Sequence, residues 1–97
     1  MAISETDKEH FRRMIHILKT WGPNVIYDSG MNWQSVAEIT SRYKSEFDES
    51  ITEEEILSTL KYFRRRRIVR FAKGVKGVSD KWSLIKSTNF ERVLKNY

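Results

Sequence analysis

The chain is 97 residues long, carries a net charge of +5 and contains no cysteine. That length supports one small domain, and the missing cysteines exclude a disulfide framework, a thiol nucleophile and any cysteine-based metal site. No window approaches the roughly 20 apolar residues of a membrane span, and the first residues lack a signal-type apolar run. The expectation is an intracellular protein with no membrane partner, cytoplasmic or nucleoid-associated, or acting in a host cell if viral.

A first helix is predicted over about residues 7–20. Thr6 with Glu9 three residues on reads as a capping box, Phe11, Met14, Ile15, Leu18 and Trp21 share one face, and Gly22 and Pro23 end it. Residues 24–31 read as a connection, with Val25, Ile26 and Tyr27 open between a short strand and one helical turn. A second helix is predicted over about 33–45, capped by Asn32, with Trp33, Val36, Ile39, Thr40, Tyr43 and Phe47 at helical spacing. Its polar face would be Gln34, Glu38 and Arg42.

The third helix is predicted over about 53–66. Thr52 and Glu55 form a capping box ahead of an apolar stripe of Ile56, Leu57, Leu60 and Phe63. On this wheel Ser58, Tyr62 and Arg65 point away from the core, flanked by Lys61 and Arg66, whereas Arg64 and Arg67 lean back and snorkel over apolar surface. A β-hairpin follows over about 68–85: residues 68–73 have strand composition, Gly74 and Gly77 mark the turn, and Trp82 and Leu84 alternate onto one side. Thr88 with Glu91 opens a short fourth helix over about 89–96, whose Phe90, Val93, Leu94 and Tyr97 would pack on the body or on a second subunit.

Charge is polarised along this order. Residues 46–55 hold six acids and no base, whereas residues 61–81 hold nine bases against Asp80 alone. A helix dipole accounts for Glu53, Glu54 and Glu55 and for some of the arginines. It does not account for Arg70, Lys73, Lys76 and Lys81, which carry positive charge past the helix and imply an anionic partner.

The segments SVAEIT, TEEEILSTLKYF, RIVRF and KWSLI, in this order, resemble the winged helix-turn-helix superfamily of small bacterial, archaeal and viral transcription regulators, over roughly residues 7–86. The resemblance implies an α+β, mainly helical fold with a three-helix core, a two-stranded wing hairpin and a short C-terminal helix. It further implies a double-stranded DNA-binding protein, a transcriptional regulator, pairing as a homodimer through its first and last helices. Carried onto this chain, Ser58, Lys61, Tyr62 and Arg65 would face bases or phosphates and Lys73, Lys76 and Lys81 would be wing contacts, while the adjoining positive charge adds Arg66 and Arg70 to the expected DNA-binding residues. Three features depart from the pattern. The turn SEFDESI is long, the recognition helix begins with three glutamates, and Arg67 stands where a glycine often precedes the wing. The acidic start favours docking by the helix's C-terminal half, although Glu54 or Glu55 could accept a hydrogen bond from cytosine N4.

Enzymatic readings find no support: His10 and His16 are not spaced with a carboxylate pair for metal binding, and there is no glycine-rich phosphate loop or nucleophile motif. The acids at 46–55 lack the glycine and ligand spacing of a calcium loop. No catalysis, cofactor, metal or small-molecule ligand is expected. The alternative reading is a winged-helix protein-interaction module of a larger transcription, replication or membrane-remodelling complex, with RNA binding third.

Overall fold

A computed structural model of the chain describes residues 5–20 and 33–85. It contains three helices, α1 (Glu5–Lys19), α2 (Val36–Glu46) and α3 (Glu53–Arg65), followed by an antiparallel pair, β1 (Val69–Ala72) and β2 (Lys81–Leu84). This is an α+β, mainly helical arrangement, compatible with a winged-helix layout. Trp21, Gly22, Pro23, Asn32 and the helix expected at 89–96 lie outside the described residues.

Helix α1 starts at Glu5, so Thr6 sits within the first turn instead of capping it, among the dipole-favoured Glu5 and Asp7. Met14, Ile15, Ile17 and Leu18 are buried, with Phe11 packed against them from the edge. Ile17 joins the face because His10, Met14 and Ile17 follow the 3–4 spacing of a helix side turned toward α2 and α3.

Helix α2 begins three residues later than its apolar spacing suggests. Ser35 is the cap: its hydroxyl accepts from the Glu38 backbone N–H, and the Glu38 carboxylate accepts from the Ser35 N–H, each at 3.2 Å. This capping box outcompetes a start at Asn32, and it frees Trp33 and Gln34 for an extended path. Gln34 then pairs with Trp82 through reciprocal backbone hydrogen bonds of 2.9 and 2.8 Å. The pairing lies on the side of β2 away from β1, so at Trp82 the strand is paired on both edges.

That placement overturns the polar face expected for α2. Gln34 is 4% exposed, and its amide donates to the Ile17 carbonyl at 2.9 Å. Arg42 turns to the C-terminus of α1, where its guanidinium donates to the carbonyls of Ile17 at 2.8 Å and Thr20 at 2.7 Å, and to Gln34 Oε1 at 3.2 Å. A cation placed on unsatisfied carbonyls at a helix end is favoured both by hydrogen bonding and by the dipole. Only Glu38 remains outward, holding Lys81 at 2.9 Å.

Residues 47–52 connect α2 to α3. Asp48 accepts from the Ser50 N–H at 2.9 Å and its hydroxyl at 2.7 Å, and Ile51 plugs into the core. Thr52 caps α3 by accepting from the Glu55 N–H at 3.2 Å, which is the Thr52 half of the expected box. Ile56, Thr59, Leu60 and Phe63 form the buried stripe, with Leu57 packed against its edge.

The exit from α3 is a glycine-type exit made without glycine. Arg67 has φ +59°, its N–H donates to the Arg64 carbonyl at 3.0 Å, and the Ile68 N–H donates to the Phe63 carbonyl at 2.8 Å. These are the two hydrogen bonds of a Schellman motif, and buried Ile68 and Phe63 supply its apolar contact. Arg67 therefore adopts the glycine geometry itself.

In the hairpin Val69 pairs with Leu84, Arg70 with Ser83, Phe71 with Trp82 and Ala72 with Lys81. Trp82 is buried and Leu84 packs against the core, as alternation predicts, but Ser83 is also buried at 1% exposure. Trp82 and Ser83 point to opposite faces of the pair, so β2 is covered on both faces there.

Candidate nucleic-acid interface

The C-terminal half of α3 and the hairpin meet through Arg64, whose guanidinium lies 4.6 Å from the centre of the Phe71 ring. Arg64 thus spreads over apolar surface as its wheel position implies, and the surface belongs to β1. Ser58, Lys61, Arg64 and Arg65 line an open concavity of about 580 Å³ on the solvent side of the helix. Ser58, Lys61 and Arg65 are exposed and recur at the three- and four-residue spacing of one helix face.

The other expected contact residues divide into two groups. Arg70, Lys73 and Lys76 are exposed along the hairpin and extend the positive surface. Tyr62, by contrast, is half-buried with its ring stacked on Phe11 at 5.3 Å and 13° between planes, and the Arg66 guanidinium lies 5.4 Å from that ring. This overturns the outward-facing Tyr62 read from the wheel. Lys81 is held by Glu38, so its charge is already matched within the fold. Burial opposes ionisation of Glu38, but the hydrogen bonds from Lys81 and Ser35 outweigh it and hold the carboxyl below its ordinary range.

The cations differ in whether a carboxylate meets them. Lys8, Arg13, Arg42 and Lys81 pair with Glu5, Glu9, Glu46 and Glu38 respectively. Lys61, Arg64, Arg65, Arg67, Arg70, Lys73 and Lys76 make no ion pair among the described residues, and neither does Lys44 of α2.

At the opposite end of α3 the potential reverses. Glu5, Asp7 and Glu9 of α1 and Glu54 and Glu55 of α3 line an open groove of about 830 Å³, together with His10, Arg13 and Tyr43. His10 bridges the helices, with Nδ1 2.8 Å from the Tyr43 hydroxyl and Nε2 2.7 Å from Thr59 Oγ1. Because Thr59 Oγ1 donates to the Glu55 carbonyl at 3.0 Å, it accepts from His10 Nε2–H, and Nδ1 accepts from Tyr43. This is the neutral imidazole, and burial lowers its pKa from the ordinary value, against the pull of Glu55 and Asp7. Burial likewise raises the Tyr43 hydroxyl.

No protein-family model matches the chain, and comparison with curated proteins and with solved structures returns no relative. Sequence reasoning missed His10, Gln34 and Arg42 as organising residues. A signal existed only for the start of α2, in the Ser35–Glu38 spacing of SVAE. Among the described residues no group of three or more His, Cys, Asp or Glu side chains is arranged to hold a metal ion, and no helix is long and apolar enough to cross a membrane.

Proposed function

We propose that the chain is a winged-helix double-stranded DNA-binding protein, a transcriptional regulator that docks the C-terminal half of α3 and the basic hairpin on the duplex. The observation that carries this reading is the run of unpaired cations from the rear of α3 into the hairpin. Lys8 and Arg13 of α1, Arg42 of α2 and Lys81 of β2 are matched by carboxylates, whereas Lys61, Arg64 and Arg65 of α3, Arg70 of β1 and Lys73 and Lys76 of the hairpin, like Lys44 of α2, make no ion pair among the described residues, and the six on α3 and the hairpin form a run open to an external anion. Lys61 and Arg65 reach from the helix, and Arg70, Lys73 and Lys76 follow the backbone beside it. Glu53, Glu54 and Glu55 keep the helix tip away from phosphates, so the main contact falls on the rear of α3. Homodimerisation through α1 and the helix expected at 89–96 would present two such faces to paired half-sites.

The test is a titration against random and genomic duplex DNA at several salt concentrations, with Lys61→Ala/Arg65→Ala and Lys73→Ala/Lys76→Ala variants alongside. Wild type should bind duplex at low salt and each double variant more weakly; no duplex binding at low salt would sink the reading. The acidic groove between α1 and α3 favours a second reading, an interaction module that takes a basic partner there. Capture of a basic protein that Glu54→Lys/Glu55→Lys abolishes, with no duplex binding, would select it.

A further inference from the structure

Beyond the basic surface, the tip of the hairpin is built in a way that phosphate binding does not require. Val75 and Val78 are 70% and 60% exposed, the largest exposures among the described large hydrophobic residues. They stand opposite each other across a tight turn closed by the Val78 N–H on the Val75 carbonyl at 3.1 Å. Its central residues, Lys76 at φ +49° and Gly77 at φ +85°, have the positive φ that a type I′ turn needs.

Two further contacts hold this turn. The Gly74 N–H donates to the Asp80 carboxylate at 2.8 Å. The backbone at Gly74 runs so close to the returning strand that a Cβ there would fall 1.7 Å from the Val78 carbonyl oxygen. The valine pair is therefore presented on a preformed support, with Lys73 and Lys76 beside it.

We infer that Val75 and Val78 act as an apolar wedge that enters the minor groove of a duplex and opens a base step, while Lys73 and Lys76 hold the adjacent phosphates. The inference rests on the DNA-binding reading above and adds deformation to it. Apolar side chains set between base steps unstack them and bend the duplex, and pyrimidine–purine steps yield most readily. A two-valine tip is far smaller than the roughly 800 Å² per partner of a stable protein interface. Its flanking lysines also match a groove walled by phosphates. The wing would thus confer a preference for sites with a flexible TA or CA step beside the contact of α3, without hydrogen bonds to that step.

The experiment uses the full chain and a 20-base-pair duplex carrying 2-aminopurine at a central TA step, with donor and acceptor dyes at its ends. Wild type should raise 2-aminopurine fluorescence and shorten the end-to-end distance. Val75→Ala/Val78→Ala should lose both signals and bind about tenfold to a hundredfold more weakly, with an unchanged salt slope, since only apolar burial is removed. Val75→Ile/Val78→Ile should keep both signals, and Gly74→Ala should lose them with the valines still present. If wild type binds the duplex without either signal, or the alanine pair bends it equally, the wedge is wrong and the DNA-binding reading stands. If wild type does not bind at low salt, that reading fails first. Valine-dependent binding to phosphatidylserine vesicles, with no valine dependence on DNA, would assign the tip to a lipid surface instead.

Discussion

Arg42→Met should destabilise the fold while leaving duplex binding intact at temperatures where the variant stays folded. The substitution keeps an unbranched apolar stem and removes the guanidinium that donates to the Ile17 and Thr20 carbonyls at the end of α1. Ile17 keeps a second donor in the Gln34 amide at 2.9 Å, so Thr20 bears most of the loss. Hydrogen bonds to charged groups contribute about 1.5–3 kcal/mol each, but the Arg42 side chain is 22% exposed and water can reach part of the vacated space. The expected net cost is about 2–3 kcal/mol, or a Tm lower by roughly 8–24 °C for a domain of this size. Urea unfolding followed by tryptophan fluorescence should show a lower midpoint and an unchanged m-value. Arg42→Lys should recover only part of the loss, because one ammonium cannot reproduce the planar fork. An unfolding free energy within about 0.5 kcal/mol of wild type for Arg42→Met would refute the capping role, and a changed salt slope of DNA binding would show that Arg42 also meets DNA.

Arg67→Gly should stabilise by about 0.5–1 kcal/mol, since glycine enters the left-handed region without the penalty that a Cβ carries, and Arg67→Val should destabilise by more; thermal unfolding of both variants decides this. His10 has a folded pKa below its unfolded one, so its contribution is present above about pH 6.5 and is lost as pH falls toward the lowered value. Stability should drop across that window by at most about 1.4 kcal/mol per pH unit, and the difference between wild type and His10→Gln in chemical denaturation should show it; a pH-independent difference would contradict the neutral latch. For DNA binding, contacts from Lys61, Arg65, Arg70, Lys73 and Lys76 predict a slope of log K against log salt near about −4.5. Lys73→Ala/Lys76→Ala should reduce its magnitude by about 1.8, whereas Lys81→Ala should leave it unchanged because Glu38 already neutralises that lysine.

What was legible in the sequence was what local chemistry decides. The Thr52 cap and the Ile56–Leu60–Phe63 stripe place α3 to within one residue, and the turn glycines place the hairpin. Helix α2 was misplaced at its start because Trp33 continues the apolar spacing backward, although the cap that wins, Ser35 with Glu38, was present in the letters. Gln34 and Arg42 could not be assigned, because a polar residue at helical spacing looks the same whether it faces water or the carbonyls of another helix. Tyr62 failed for a related reason: a wheel drawn on α3 alone has no knowledge of Phe11 arriving from α1. In the interface, the basic run and hairpin were visible as charge, but Lys81 could be told from Lys73 and Lys76 only once Glu38 was placed beside it. The Schellman exit was hidden because Arg67 occupies a conformation that sequence rules reserve mainly for glycine.

The pairing of Gln34 with Trp82 also bears on how the protein behaves at high concentration. Trp82 of β2 pairs with Gln34 as well as with β1, whereas β1 has a single strand partner among the described residues. It is only four residues long, carries Arg70 at its centre and is followed at once by Lys73. Short, cationic strands resist pairing with copies of themselves, because like charges would be brought into register. The same charges that make this strand suitable for phosphates therefore guard it against edge-to-edge aggregation. High salt, which weakens that repulsion, is the condition under which colloidal stability should decline first.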